Sequence, residues 1–284
     1  MKRVRFIVTG DLEWAAIVPS ISRLFPSQTF EGEDVEWLQP RKVHGATGNR
    51  LRPNQEPDRA MRGLARALLA EAWEGADGTP ADLVIAVDDV ELNNFDQRQL
   101  ICEHFRVALE REIEARDRDQ QTTQRIRDRV RERCSFHLLC PMVEGYFFAD
   151  RSALRLAGCA ANVAPRLSHA DVEEFECCDA DWLPGCIAEN QRKAAMPIPM
   201  PWWREERHAK HYLEYLVERD GGHYDEVLGG KAGFAALAWH RAAANGGSDV
   251  AGPGHAGRHG RLFRDLQSRG WPGAVFAHLP EPAS

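Results

Sequence analysis

The fold can be inferred by starting from DLVIAVDDVELNN (82–94) and extending outward. Its residues 83–87 form an unbroken apolar run, which predicts a strand buried on both faces. Asp88, Asp89 and Glu91 follow at once, so three carboxylates crowd the end of this strand. Open α/β sheets bind their ligands at the carboxyl ends of parallel strands. The acidic cluster therefore becomes a candidate site if this strand has parallel neighbours.

The chain before this strand alternates between strand and helix signals. Short apolar, β-branched runs predict strands, and apolar residues at helical spacing predict helices. Strands are expected over 4–8, 35–43 and 83–87, and helices over 13–26 and 58–73. Within 35–43, Pro40 would end the strand or confine it to a sheet edge. The β-α-β-α-β order predicts an α/β fold with a central, mostly parallel sheet.

The remainder of the chain is expected to be mainly helical. From Asp96 to Arg133 the apolar spacing predicts one long helix, whose Arg- and Glu-rich face is solvated or, alternatively, contacts nucleic acid. A strand is then expected over 135–140, short helical structure over 141–150, loops over 158–205, helices over 205–219 and 231–244, and a glycine-rich loop over 245–260. We expect Trp202 and Trp203 to pack against a neighbouring element. These features predict a core over 1–150 and a mostly helical, loop-rich region over 151–284 packed on it.

Composition excludes several classes of protein. The chain has 284 residues and a formal net charge of −7, which argues against a polybasic protein that coats nucleic acid through bulk charge. No apolar run approaches the roughly eighteen residues of a membrane span, and the start of the chain does not resemble a signal peptide. We therefore expect a cytoplasmic protein without a membrane partner.

The seven cysteines do not suggest a disulfide framework, because their number is odd and their spacing irregular. Cys177, Cys178 and Cys186 form the one close group, but they lack a CxxC pair. Reduced, partly buried thiols are the favoured interpretation, and a metal site is the alternative.

A second acidic group follows the first predicted strand. Asp11 and Glu13 lie just beyond 4–8, and they would face Asp88, Asp89 and Glu91 if the two strands are neighbours. Converging carboxylates repel one another unless a cation is present, and hard cations such as Mg²⁺ or Mn²⁺ prefer oxygen ligands. The alternative is that one Asp caps the following helix while the others are solvated.

Other candidate sites are weaker. The turn after the first strand lacks the glycine patterns of dinucleotide and P-loop sites, and no GxSxG nucleophile turn is present. His208 and His211, three apart on a predicted helix, could bind a metal, although solvent exposure and packing explain them as well. His255 and His259 lie in the glycine-rich loop, where a fixed site would be hard to hold.

The segments VTGDLEW (8–14) and VDDVE (87–91) together resemble the Toprim domain of topoisomerases, primases and the overcoming-lysogenization-defect nucleases. In that domain a Glu after the first strand and a DxD motif after a later strand bind divalent metal. The chain more closely resembles a Toprim-like family of unknown function found beside phage-defence genes. That similarity includes VEGYFFAD (143–150) and HAKHYL (208–213).

The resemblance implies a Toprim-like, metal-dependent nuclease acting on DNA or RNA in anti-phage defence. It implies Glu13, Asp88 and Asp89 as catalytic residues, and Asp11, Glu13, Asp88, Asp89 and Glu91 as ligands of Mg²⁺ or Mn²⁺. A protein from a neighbouring defence gene would be a second partner.

Two departures from the family pattern leave another function open. Thr9 stands where the family carries its first Glu, and the strand end reads DDxE rather than DxD. A degenerate, non-catalytic subunit of a defence complex is therefore the alternative function. A receiver-like phosphotransfer domain ranks last, because it needs a Lys and a Ser or Thr at later strand ends, and none follows 135–140.

Overall fold

The computed structural model describes residues 1–23, 29–30, 33–116, 118–197 and 204–237. Several sequence predictions lie outside these residues: the glycine-rich segment 245–260, Trp202 and Trp203, His255 and His259, and the end of the helix expected over 231–244.

The order of elements confirms the alternation expected from the sequence. The strands are β1 (Lys2–Val8), β2 (Thr29–Phe30), β3 (Glu33–Trp37), β4 (Arg41–Lys42), β5 (Leu83–Asp89) and β6 (Cys134–Leu139). The helices are α1 (Asp11–Ser22), α2 (Arg59–Trp73), α3 (Arg98–Glu114), α4 (Gln120–Arg133), α5 (Arg151–Leu156), α6 (Leu183–Ala194), α7 (Ala209–Arg219) and α8 (Lys231–Ala236). A 3₁₀ helix, Val143–Ala149, follows β6, and a shorter one, Leu92–Asn94, follows β5.

The strands form one sheet in the order β2-β3-β1-β5-β6, and β4 pairs with β1 beyond the end of β3. All pairs are parallel except β2 with β3. The predicted α/β fold with a mostly parallel sheet is therefore confirmed. β1 and β5 are direct neighbours with Val8 opposite Val87, so both predicted acidic segments leave the sheet at the same edge.

Helices cover both faces of the sheet, as a parallel sheet requires. Side chains such as Phe6 and Val87 pack into one core with α1, α5, α7 and α8. Side chains such as Ile7 and Ala86 pack into a second core with α2, α3 and α4. The first core joins strands of the predicted 1–150 core to helices beyond residue 150, so these helices complete the covering of the sheet. None of the helices in the described part of the chain is long and apolar enough to cross a membrane.

The structure corrects three sequence predictions. The expected helix over 96–133 is two helices, because the chain turns after Glu114 and Asp119 caps α4 by accepting a 2.9 Å hydrogen bond from the Thr122 amide. The strand expected over 35–43 is interrupted at 38–40, a stretch that ends in Pro40, and the chain returns to the sheet as β4. The segment expected to be loops contains α6, which buries little apolar surface and therefore has no clear apolar periodicity.

Candidate acidic site at the strand ends

The site lies where β1 and β5 end side by side. Gly10 is the N-cap of α1, and Glu13 is the third residue of that helix. Glu13 is only 1% exposed, and its carboxylate lies over Gly10, where an added Cβ would overlap Glu13 Oε2. Glycine at position 10 therefore makes room for the buried carboxylate.

Glu13 is a buried ionisable side chain with an unsatisfied oxygen. Its Oε1 is buried and accepts no hydrogen bond within the described structure. Burial raises the pKa of Glu13 to about 7, and the nearby carboxylates of Asp88, Glu226 and Glu91 act in the same direction. A buried carboxylate oxygen without a partner is costly, so this atom points to a missing ligand or proton.

Asp88 is held by two donors on the face of the sheet that carries α2. Thr9 Oγ1 donates a 2.6 Å hydrogen bond to Asp88 Oδ1, and the Ala46 amide donates a 3.2 Å hydrogen bond to Oδ2. Burial raises the pKa of Asp88 to about 7, while both hydrogen bonds favour its charged form. These donors fix the orientation of the carboxylate.

Asp89 points to the opposite face, because side chains alternate along a strand. Its Oδ1 is buried without a hydrogen-bond partner among the described residues. Burial raises the pKa of Asp89 well above its usual value, and Glu13, Glu91 and Glu144 raise it further. Unsatisfied oxygens of Glu13 and Asp89 therefore belong to one electrostatic cluster.

Glu91 completes the strand-end group. Its backbone adopts φ 61° and ψ 156°, a conformation that costs a non-glycine residue free energy and that is often found at functional sites. A 2.8 Å hydrogen bond from the Glu91 amide to the Pro141 carbonyl anchors this turn. Burial raises the pKa of Glu91, and Lys210 opposes the shift.

Two charged residues of this cluster were absent from the predicted site. Glu144, from the 3₁₀ helix after β6, is 4% exposed, and burial raises its pKa to about 7. Lys210, from α7, lies close enough to lower the pKa of Glu144 and forms a 2.7 Å ion pair with Glu226. Both residues lie in the VEGYFFAD and HAKHYL segments, but neither was predicted as a site residue.

Asp11, by contrast, is not brought into the buried cluster. Its side chain is 73% exposed and forms an ion pair with Lys42 of β4. At the first position of α1 its charge also suits the positive end of the helix dipole. Of the five predicted ligands, the structure thus groups Glu13, Asp88, Asp89 and Glu91.

The carboxylates of the cluster are the kind of ligand that a hard divalent cation prefers. Two of their oxygens, Glu13 Oε1 and Asp89 Oδ1, are buried without a hydrogen-bond partner among the described residues. As the side chains stand, however, no three His, Cys, Asp or Glu residues of the described part form a group that could hold a metal ion. The carboxylates would therefore have to lose their protons and adjust their rotamers for a cation to bind. The raised pKa values agree with a proton-loaded state of the same site.

The cysteines and the His208–His211 pair are the other candidate metal sites from the sequence. All seven cysteines are free thiols, and burial raises the pKa of Cys177 and Cys186 to about 11 and about 12. The His208 and His211 rings stack with centroids 3.4 Å apart, and burial lowers the pKa of His208 to about 3. His208 Nδ1 accepts a hydrogen bond from the His211 amide, so this residue caps α7.

Comparisons with protein-family models, with curated proteins and with solved structures found no match to this chain.

Proposed function

We propose that this chain is a Toprim-like nuclease that cleaves phosphodiesters of DNA or RNA with Mg²⁺ or Mn²⁺. One observation carries the proposal: Glu13 Oε1 and Asp89 Oδ1 are buried, unsatisfied acceptors in one cluster at adjacent strand ends. A fold gains nothing by burying such oxygens without partners, whereas a cation site requires them.

Each carboxylate has a distinct role in this proposal. Glu13, Asp89 and Glu91 hold the cation, and Asp88, oriented by Thr9 and Ala46, accepts a proton from the attacking water. A pKa of about 7 places that carboxylate close to the pH at which a general base works best. When bound, the cation supplies Lewis-acid polarisation of the phosphate and a water of lowered pKa.

The direct test is nucleic-acid cleavage with Mn²⁺ by the purified chain. Asp89→Asn and Glu13→Gln preserve side-chain size and remove one charge each, and we expect both to reduce cleavage at least tenfold. Asp11→Asn is the matched control, because Asp11 is exposed and outside the cluster. Cleavage that survives in both cluster variants, or that is lost equally in the control, would contradict the assignment.

A second candidate function is a non-catalytic subunit of a defence complex. Lys210 favours it, because an ammonium group beside Glu144 and Glu226 supplies part of the positive charge that a metal would otherwise bring. Calorimetry with Mg²⁺ and Mn²⁺ separates the two functions. Micromolar binding that is lost in Asp89→Asn supports the nuclease, and no binding at pH 8 supports the subunit.

The cellular setting remains part of the proposal. Seven free thiols are typical of a protein in a reducing compartment, which supports the cytoplasm. The similarity to a defence-associated family supports a partner encoded by a neighbouring defence gene. Pull-down of the chain with the products of its adjacent genes tests that association.

A further inference from the structure

The loop 44–49, between β4 and α2, is firmly anchored beneath the acidic site. Ala46 and Thr47 are buried, and the Ala46 amide and the Thr47 hydroxyl donate hydrogen bonds to Asp88 Oδ2 and to the Asp89 carbonyl. Asn94 Nδ2 donates to the Thr47 and Asn49 carbonyls at 2.6 and 2.9 Å. The loop is therefore fixed to the same strand end that carries the carboxylates.

The outer side of this loop is exposed and carries two glycines that the fold does not require. Gly45 and Gly48 flank the buried pair and face solvent. Neither has a positive φ, and a Cβ at either position would have no heavy atom within 4 Å. Glycine is common where a backbone must come close to a ligand, and no other requirement for glycine is present here.

The exposed backbone of the loop also offers hydrogen-bond donors. Neither the Gly45 nor the Gly48 amide donates a hydrogen bond to another described residue. Backbone amides held by a fixed loop form favourable sites for phosphate oxygens, because they need no reorganisation on binding.

The positive charge of residues 41–52, which include the loop, also suits a phosphate ligand. Residues 41–52 contain four Lys or Arg residues and a His but no Asp or Glu, in a chain of net charge −7. Three of the four cations form ion pairs with carboxylates outside the segment, namely Arg41 with Glu71, Lys42 with Asp11, and Arg50 with Asp96. Arg52 is exposed and has no ion pair among the described residues.

We propose that the 44–49 loop, with the adjoining Arg52, binds the sugar-phosphate backbone of a nucleic acid and places it beside the carboxylate cluster. This inference rests on the proposed nuclease function and adds the surface that receives the substrate. The open space around the glycines admits the backbone, and the amides and Arg52 contact its phosphates.

The test measures binding without cleavage. Fluorescence anisotropy in EDTA gives the affinity of the full chain for labelled single-stranded DNA, duplex DNA and single-stranded RNA. Gly48→Val places a branched side chain in the open space beside the loop backbone and should block the approach of a phosphate to it. Arg52→Glu reverses the charge of the arginine that has no ion pair among the described residues. We expect each to weaken binding of the preferred probe about tenfold, and Arg52→Glu to reduce the salt slope by about 0.7 to 0.9 for the lost phosphate contact.

The matched control is Arg118→Glu, a charge reversal at an exposed residue near Arg116, which pairs with Glu74 at the far end of α2. It should bind like wild type, and all variants should keep the wild-type thermal unfolding midpoint. Wild-type affinity in both loop variants, or no binding of any probe by wild type, overturns the inference.

The two proposals can fail separately. If Mn²⁺-dependent cleavage depends on Asp89 while both loop variants bind normally, the loop inference is wrong and the nuclease stands. If binding depends on the loop but no cleavage occurs under any metal, the binding surface stands and the nuclease is wrong.

Discussion

Thr9 Oγ1 donates a 2.6 Å hydrogen bond to Asp88 Oδ1 across the ends of β1 and β5. The resemblance to Toprim-like proteins would place a Glu at position 9, and in this chain that position carries a hydroxyl donor. A Glu here would add a further negative charge beside Asp88. The threonine instead favours ionisation of Asp88 without adding charge to a crowded cluster.

Thr9→Val should therefore raise the pKa of Asp88, because it removes a donor that stabilises the charged form. A hydrogen bond to a charged group contributes about 1.5 to 3 kcal/mol, so we expect the acidic limb of the pH–activity profile to move up by about one to two units. Thr9→Ser keeps the hydroxyl and is the control. Identical acidic limbs in the valine and serine variants would show that this hydrogen bond does not tune the site.

Gly10→Ala tests whether the position of Glu13 matters for function. The added Cβ would overlap the Glu13 carboxylate, and a flexible side chain relieves such an overlap by moving away. We expect metal affinity and cleavage to fall about tenfold, while the free energy of unfolding changes by less than about 1 kcal/mol.

Gly63→Ala is the matched control for that substitution. Gly63 lies in α2 with no heavy atom within 4 Å of an added Cβ, so alanine there should stabilise the helix by up to about 1 kcal/mol. Its metal affinity should equal that of wild type. If Gly10→Ala also binds metal normally, the observed placement of Glu13 is not needed for the site.

The sequence predicted the strand ends because local signals determine them. An apolar run followed by Asp88 and Asp89 marks the edge of a buried strand, and the β-α-β alternation makes parallel neighbours the expected arrangement. Glu13 was predicted in the same way, because it follows the strand expected over 4–8 and that strand was expected to lie beside the strand over 83–87. Asp11 did not join the cluster, since the helical turn that buries Glu13 leaves Asp11 on the exposed side beside Lys42.

Glu144 and Lys210 could not be predicted from local signals. They are 66 positions apart, and their approach depends on how the 3₁₀ helix and α7 pack on the α1 face of the sheet. The break between α3 and α4 was missed for a different reason. Ala115, Arg116 and Arg118 have good helix propensity, so the Asp119 cap was the clearest mark of the new start.

The pH dependence of stability follows from the raised pKa values of Asp88 and Glu144. Both pKa values rise to about 7 from ordinary values of 3.8 and 4.5, so the folded state retains protons that the unfolded state has already lost. The free energy of unfolding should therefore fall as the pH rises from about 4 through 7, by up to about 4 kcal/mol for Asp88 and about 3 kcal/mol for Glu144.

Thermal unfolding in EDTA at pH 5, 6, 7 and 8 measures this slope. Glu144→Gln removes one titrating group and should flatten the curve, and Mg²⁺ or Mn²⁺ at pH 8 should restore part of the lost stability by binding the charged form. A stability curve that is flat or rising over this range in EDTA would contradict the burial of these carboxylates.

Lys210 decides how much of the cluster's charge is balanced without a metal. Its ammonium lies 2.7 Å from Glu226 and is also attracted by Glu144 and Glu214, which together raise its pKa against the opposing effect of burial. Lys210→Met removes this positive charge and keeps most of the side chain's length. We expect the free energy of unfolding at pH 8 in EDTA to fall by about 1 to 3 kcal/mol, because like charges then repel without compensation.

The same substitution should increase the affinity for Mn²⁺ about tenfold, since an internal ammonium no longer neutralises the charge of Glu91, one of the proposed ligands. Lys210→Arg retains the charge and should stay close to wild type in both measurements. If instead Lys210→Met abolishes Mn²⁺-dependent cleavage while metal affinity is unchanged, Lys210 contacts the substrate phosphate rather than competing with the metal.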